Sequence, residues 1–386
     1  MPLHTQSAYN LGPTSSLKEL AGFQVLQHLA SSMLSIFSVI YLYVNAHFSL
    51  LEITLFFTAY SIIFLVLAPL GAKFAAHYGV KKSLLISTPL YLLMIGGYYL
   101  LSIYPDWLFL VALLAALFAM FYWPALHIDF VHALTDGREG RELGLLYAVM
   151  TLTGVIGAVL GGFLYETYGA WAMFLAATVF ILASVFPLIL TKDVHEPFSL
   201  SYQELIQYCC RPGFWPKNIV WAAHSVQVSV LEIYWPFYIY IVLESIWSVA
   251  WLTALTIFIT MLVMMLFGKL VDQWSRWAAL RIAAFFNLLI WTLRIFVFNP
   301  LSIAIVDAAG RSASGAVQVS VQAILYKRAR RKDQVSFLMR RELFHHLGKV
   351  LMLLIFAGFI AVFGEAYLFV AFVIAAVACL GYFLIY

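Results

Sequence analysis

The sequence predicts an all-α polytopic membrane protein of about twelve transmembrane helices, arranged as two pseudo-symmetric six-helix bundles. Three observations predict this class: an apolar composition, a series of apolar runs long enough to span a bilayer, and a one-sided distribution of basic residues. Of 386 residues, 64% are hydrophobic and 10% charged, with a mean hydropathy of +0.94. Soluble domains are roughly 45 to 50% apolar and about 25% charged, so this chain cannot assemble a surface that water would wet. The net charge of +4 reflects membrane insertion, and no nucleic-acid patch accompanies it. Cys209, Cys210 and Cys379 give no disulfide framework. The first 19 residues lack the basic start, apolar core and cleavage site of a signal peptide, so the first span is expected to serve as the insertion signal.

A hydrocarbon core takes roughly 20 apolar residues per helix. Such stretches run approximately over 20–46, 50–71, 83–104, 107–130, 143–165, 170–190, 217–243, 247–268, 277–298, 301–326, 340–363 and 366–386. Alternate connectors are very short, as at Tyr104-Pro105-Asp106 and Asn299-Pro300, which makes sequential helices antiparallel neighbours. Basic residues stay on the cytoplasmic side of short loops. With both termini placed inside, all of the 22 basic residues except Arg294 and Arg311 fall on cytoplasmic segments or helix ends. The predicted organisation is a cytoplasmic segment 1–19, a bundle 20–190, a cytoplasmic linker 191–216 and a second bundle 217–386. Ser201 to Glu204 fits a capping box and predicts a short interfacial helix in the linker; Ser16 to Glu19 carries the same signature ahead of the first span.

The connector after the second span carries Ala72, Gly79, Lys81 and Lys82, and the one after the eighth carries Gly268, Asp272 and Arg276. Both resemble the cytoplasmic signature of the major facilitator superfamily, Gly-x-Leu-x-Asp-Arg-x-Gly-Arg-Arg/Lys. The first copy has Ala76 and His77 where the family has Asp and Arg; the second keeps Asp272 but has Ser275 for the second Gly. The resemblance implies a twelve-helix transporter in which these residues hold cytoplasmic helix ends together. Gly154, Gly157, Gly161 and Gly162 on the fifth span look like the family's antiporter motif, with Ala158 at the proline position. Small residues also let helices pack closely in lipid, and packing is the reading adopted here. The fourth span lacks the arginine that many proton antiporters of the family carry.

The family's cavity is lined by spans one, four, seven and ten, and here all four carry polar residues. In the first, Gln24, His28, Ser31, Ser35, Ser38, Tyr41 and Asn45 form a stripe at helical spacing. The tenth has Asp307, Arg311, Ser314, Gln318 and Gln322, the seventh Ser225, Ser229, Glu232 and Pro236 beside His224 and Gln227, and the fourth Trp123, Pro124, His127 and Asp129. An ionisable group at the bilayer centre costs about 2.5 to 3.5 kcal/mol on insertion scales, so each one is a functional candidate or half of a pair. Glu232 is the candidate proton carrier. Arg311, whose fork suits a carboxylate or phosphate, is the candidate holder of an anionic substrate group, with Asp307 as the competing ligand. His28, His127, His224 and Asp129 are candidates for a proton path or, in a minor variant, for transition-metal transport. Arg294 could serve a role similar to that of Arg311, but the ninth span is peripheral in the family's fold and Arg294 is read first as structural. The group Arg340, Arg341, Glu342, His345, His346 and Lys349 is taken as a cytoplasmic gate or headgroup contact.

These features predict a proton-coupled secondary transporter of a small solute in the cell membrane, working by alternating access as a monomer. Lipid bilayer, solute and proton are the expected partners; no cofactor and no resident metal are assigned. A polytopic enzyme acting on lipids is the rival, but no paired-aspartate, His-rich, His-Glu-x-x-His or Gly-x-Ser-x-Gly motif is present. A non-transporting sensor would need an effector domain that the chain does not show. The topology is checked by cysteine labelling in whole cells. Probes at Asp106 and Asn299 should react from outside, and probes at Asp136 and Asp333 only after permeabilisation; external reaction at Asp333 would invert the scheme.

Overall fold

In a computed structural model of the chain, residues 15–384 are described apart from 134–138, 196–197, 199, 272–275 and 330–333. Asp136, Asp272 and Asp333 lie outside the described residues. The first six spans are α1 (Ser15–Val44), α2 (Leu50–Tyr78), α3 (Val80–Leu100), α4 (Leu108–Ala133), α5 (Glu139–Tyr168) and α6 (Ala170–Leu190). A short helix α7 (Tyr202–Cys209) follows. The seventh span combines α8 (Trp215–Ser229), a π-helical segment (Val230–Tyr234) and α9 (Trp235–Leu243). The last five are α10 (Ile246–Val271), α11 (Arg276–Leu293), α12 (Pro300–Ala329), α13 (Gln334–Phe363) and α14 (Phe369–Cys379). The described residues contain no strand.

Ten described helical segments are long and apolar enough to cross a membrane. Two expected spans fall outside that count, α11 and α12. The latter carries Asp307, Arg311, Ser314 and Gln318, polar residues that lower its hydropathy. Among the most exposed side chains are Val362 (75%), Phe298 (73%) and Phe186 (72%), whereas Asp307 and Arg294 are buried. Apolar outside and charged inside is the inversion that lipid demands.

Helix pairing repeats between the two groups of six. In the first, α2 and α3 pack on α4, α1 on α5 and α6, and α3 on α6. In the second, α10 and α11 pack on α12, α8 on α13 and α14, and α11 on α14. Each pairing maps onto its counterpart six spans later, and so do the two long contacts between the groups, α2 with α13 and α5 with α10. The glycine row of α5 builds those surfaces. A Cβ on Gly157 would lie 1.9 Å from the Ser32 hydroxyl of α1, and one on Gly162 would lie 2.2 Å from Ala250 of α10. The packing reading of that row therefore accounts for it.

At the charge-poor end of the bundle the two groups are joined. The Leu50 amide donates to Glu365 Oε1 at 2.7 Å, Thr54 and Tyr234 hydroxyls meet at 3.0 Å, and the rings of Tyr43 and Phe237 pack edge-on at 4.8 Å. A capping box of Ser49 and Glu52 opens α2 there. The expected box of Ser201 and Glu204 opens α7, while α1 begins at Ser15, which puts Ser16 inside the helix and not at its cap.

The seventh span departs from the single α-helix expected. The Trp235 amide bonds back to Val230 O, five residues earlier, and Pro236 has no N–H for either Leu231 or Glu232. The π segment is the local answer to that missing donor.

The close approach of α2 to α4 depends on Gly71, where a Cβ would sit 1.9 Å from the Met120 carbonyl oxygen, a backbone atom that cannot rotate away. Gly71→Ala should lower stability by about 1 to 3 kcal/mol through overpacking. Gly96→Ala, with nothing near its Cβ, should be neutral or stabilising by up to ~1 kcal/mol. Thermal unfolding in detergent measures both, and equal effects would show that Gly71 does not set the packing.

Candidate functional site

Three groups of polar side chains lie inside the bundle. The first is centred on Asp307 of α12, which is fully buried. Its carboxylate accepts from Trp235 Nε1 at 2.7 Å, Thr256 Oγ1 at 2.6 Å and Arg311 Nε at 2.7 Å. Arg294 Nη2 stands 3.8 Å from Oδ1. The Arg294 guanidinium lies over the rings of Trp235 and Trp291, 4.3 and 4.0 Å from their centroids, which suits a desolvated cation. The Arg311 side chain keeps 17% of its surface. Two arginines against one aspartate leave one surplus positive charge. Arg294, read from sequence as structural, thus belongs to the same cluster as the predicted pair.

The second group surrounds Glu232. Set on the π segment of the seventh span, Glu232 keeps exposed surface while its neighbours Val230, Ile233 and Tyr234 are buried. The cation acting on it is Lys349 of α13, and not Arg311, the partner expected for it. Lys349 is itself buried, its ammonium 5.4 Å from the Tyr60 ring centroid and 5.6 Å from that of Phe57. Trp123 opens 38% of its surface and stacks on His127. Ser31, Ser35 and Ser38 on α1 are partly or fully exposed. Other members of the α1 stripe bind neighbouring helices: Gln24 meets the Tyr122 hydroxyl at 3.4 Å, and the Tyr41 hydroxyl donates to Tyr99 O at 2.6 Å. Ser225 and Ser229, expected on the Glu232 face, are buried.

The third group joins the two sets of helices. His127 Nε2 of α4 lies 3.2 Å from Glu342 Oε1 and 3.2 Å from Arg341 Nη1, both of α13, and Arg341 also pairs with Glu342. A protonated Nε2 donates to Glu342 and a bare one accepts from Arg341, so the imidazole proton selects between the two contacts. His346 packs on Phe64 with ring centroids 4.0 Å apart, and His345 lies 6.1 Å from His224. His224 Nδ1 meets the Tyr382 hydroxyl at 2.9 Å and its ring hydrogen-bonds Gln318.

Glu342, His346 and Lys349 are therefore buried between helices, which corrects the expected headgroup contact. Their spacing places them on one face of α13, a stripe legible in the sequence but read there as the membrane boundary. His28 lies apart, beside α5 at Gly154 and the Met150 backbone, and Asp129 is partly exposed near the end of α4. The four metal candidates do not converge; among the described residues no three His, Cys, Asp or Glu side chains form a metal-holding group. Tyr60, Trp235 and Thr256 were missed because nothing in the sequence separates them from core residues.

The signature loop after α2 also has its own geometry. Gly79 turns with φ +106°, and the Lys81 amide donates to Asp193 Oδ1 at 3.0 Å. Lys81 Nζ donates to Thr191 O at 2.9 Å and to Ile189 O, while Lys82 is exposed. A carboxylate from beyond α6 thus sits at the N-terminus of α3, close to the loop in which Ala76 replaces the family's aspartate. Gly268 lies in the last turn of α10, which ends at Val271, and Arg276 begins α11.

The family model described as Major Facilitator Superfamily matches residues 20–340. Among solved structures, that of the E. coli fucose:proton symporter FucP has a TM-score of 0.68 at 13% sequence identity. The match covers 95% of this chain and 96% of that one. No curated protein matches the chain.

Buried and cavity-facing carboxylates should respond differently to neutralisation. Glu342→Gln takes the partner from a buried ion pair and should cost about 3 to 5 kcal/mol. Glu232→Gln, facing water, should stay within about 1 kcal/mol of the parent. Thermal unfolding in detergent separates them, and equal losses would remove the distinction.

Proposed function

Since the chain belongs to the major facilitator superfamily, we propose that it carries a small anionic solute across the membrane by alternating access, coupled to protons through Glu232. Family and fold make it a membrane transporter, and the lipid-enzyme reading lapses with that. The observation that carries the proton assignment is Glu232 itself, exposed in the bundle interior on a π segment and answered by Lys349. An ionisable group at membrane depth is costly unless a partner or water answers it, so movement of the helices that carry Glu232 and Lys349 can change whether the carboxylate holds a proton. The likeness to a fucose:proton symporter agrees with coupling in the sense of symport. Its neutral sugar is not carried over, because the surplus charge beside Asp307 favours an anion.

In this scheme Arg311 holds the anion, the solute enters near Trp123, and α13 links both events to the contacts across the two groups of helices through His127 and Glu342. The joined charge-poor mouth would be the outer one by the basic-residue rule, giving an inward-accessible or closed state. The charge-rich end is placed in the cytoplasm on the same ground.

Uptake into proteoliposomes under an imposed pH gradient, screened over organic anions, amines and metal ions, tests the reading. Glu232→Gln should keep solute exchange and abolish accumulation against a gradient. Arg311→Lys, which keeps charge but loses the fork, should weaken solute binding roughly tenfold, near 1.4 kcal/mol. Gradient-driven accumulation at the parental rate in Glu232→Gln would remove that residue, with Asp129 and Asp307 next to test.

A further inference from the structure

Resting on the anionic reading, we infer that Asp307 is an exchangeable counter-ion that passes from Arg311 to Arg294 when a monovalent substrate anion takes Arg311. Arg294 is built as a waiting partner. It is 1% exposed, its Nε and Nη2 make no hydrogen bond, and its nearest approach to Asp307 is 3.8 Å. A charge-assisted bond closes at about 2.8 Å, so a shift of about 1 Å would complete the pair. By contrast Arg311 is already bonded at 2.7 Å and is the arginine with exposed surface. Gly310 is what lets Arg294 come so near, since a Cβ there would lie 2.6 Å from Nη2.

Trp235 and Thr256, bonded to the two carboxylate oxygens, hold Asp307 between the arginines while it swings. An anion arriving at Arg311 breaks one charge-assisted bond, and the orphaned donors of Arg294 recover it. Without that reserve the aspartate would be left buried and charged, opposing the substrate. The charges also set the class of ligand. Two arginines and one aspartate are neutralised by a single negative charge, so a monoanion such as a small monocarboxylate fits and a dianion leaves an excess in a low-dielectric site.

Binding is read as thermal stabilisation of the purified protein by lactate, benzoate and succinate. The two monoanions should stabilise the parent more than succinate does, and Arg311→Gln should abolish the effect. Arg294→Gln should weaken the monoanions roughly tenfold in the parent but change them less than about twofold when combined with Asp307→Asn, because neighbours in one exchange are coupled. Arg294→Lys keeps a cation in reach, should recover most of the affinity, and stands in if Arg294→Gln does not fold. Equal effects of the Arg294 substitution with and without Asp307→Asn would reduce Arg294 to a distant charge and overturn the exchange alone. No stabilisation by any of the three anions, in the parent or in Asp307→Asn, would overturn the anionic reading and the exchange with it.

Discussion

Hydrocarbon offers no hydrogen bonds, so each polar atom that this chain carries into the membrane must be answered from within the protein. The Asp307 carboxylate shows how far that constraint reaches. Satisfying it recruits Trp235 from the seventh span, Thr256 from the eighth and Arg311 from the tenth, with Arg294 at the end of the ninth. One buried charge therefore fixes the mutual placement of four helices. A bundle without it would have only apolar side chains to register these helices, and those are as content against lipid as against each other.

The same constraint makes the contacts between the two groups of helices specific ones. Contacts between them at the charge-poor mouth are few and directional: an amide to Glu365, a hydroxyl pair and an aromatic edge. The long seams of α2 with α13 and α5 with α10 run alongside, and Gly162 of α5 lies close against Ala250 of α10.

Much of the architecture was legible because helix length, charge placement and short connectors are read locally. Ten of the expected spans appear as apolar helices among the described residues, and α12 falls short of them because of the polar residues it carries. The glycine row, the linker helix and its capping box were equally local. The site was only partly legible. Glu232, Asp307 and Arg311 stood out as charges in apolar runs, but which cation faces which carboxylate depends on helices far apart in sequence. Lys349 closes a basic cluster that reads as a cytoplasmic gate or headgroup contact, and its place a turn beyond His346 carries it inside, away from headgroups. Arg294 looked peripheral on a peripheral helix, and only the approach of α12 at Gly310 brings it to Asp307.

The π segment of the seventh span has a mechanical meaning. A helix resists bending mainly because bending stretches its ladder of backbone bonds, and Pro236 has already removed a rung there. Compliance is therefore concentrated between Val230 and Pro236, while the turns on either side remain stiff. Glu232 rides on that joint, so a change in its charge acts on the softest point of the span and needs little force to be felt at both of its ends.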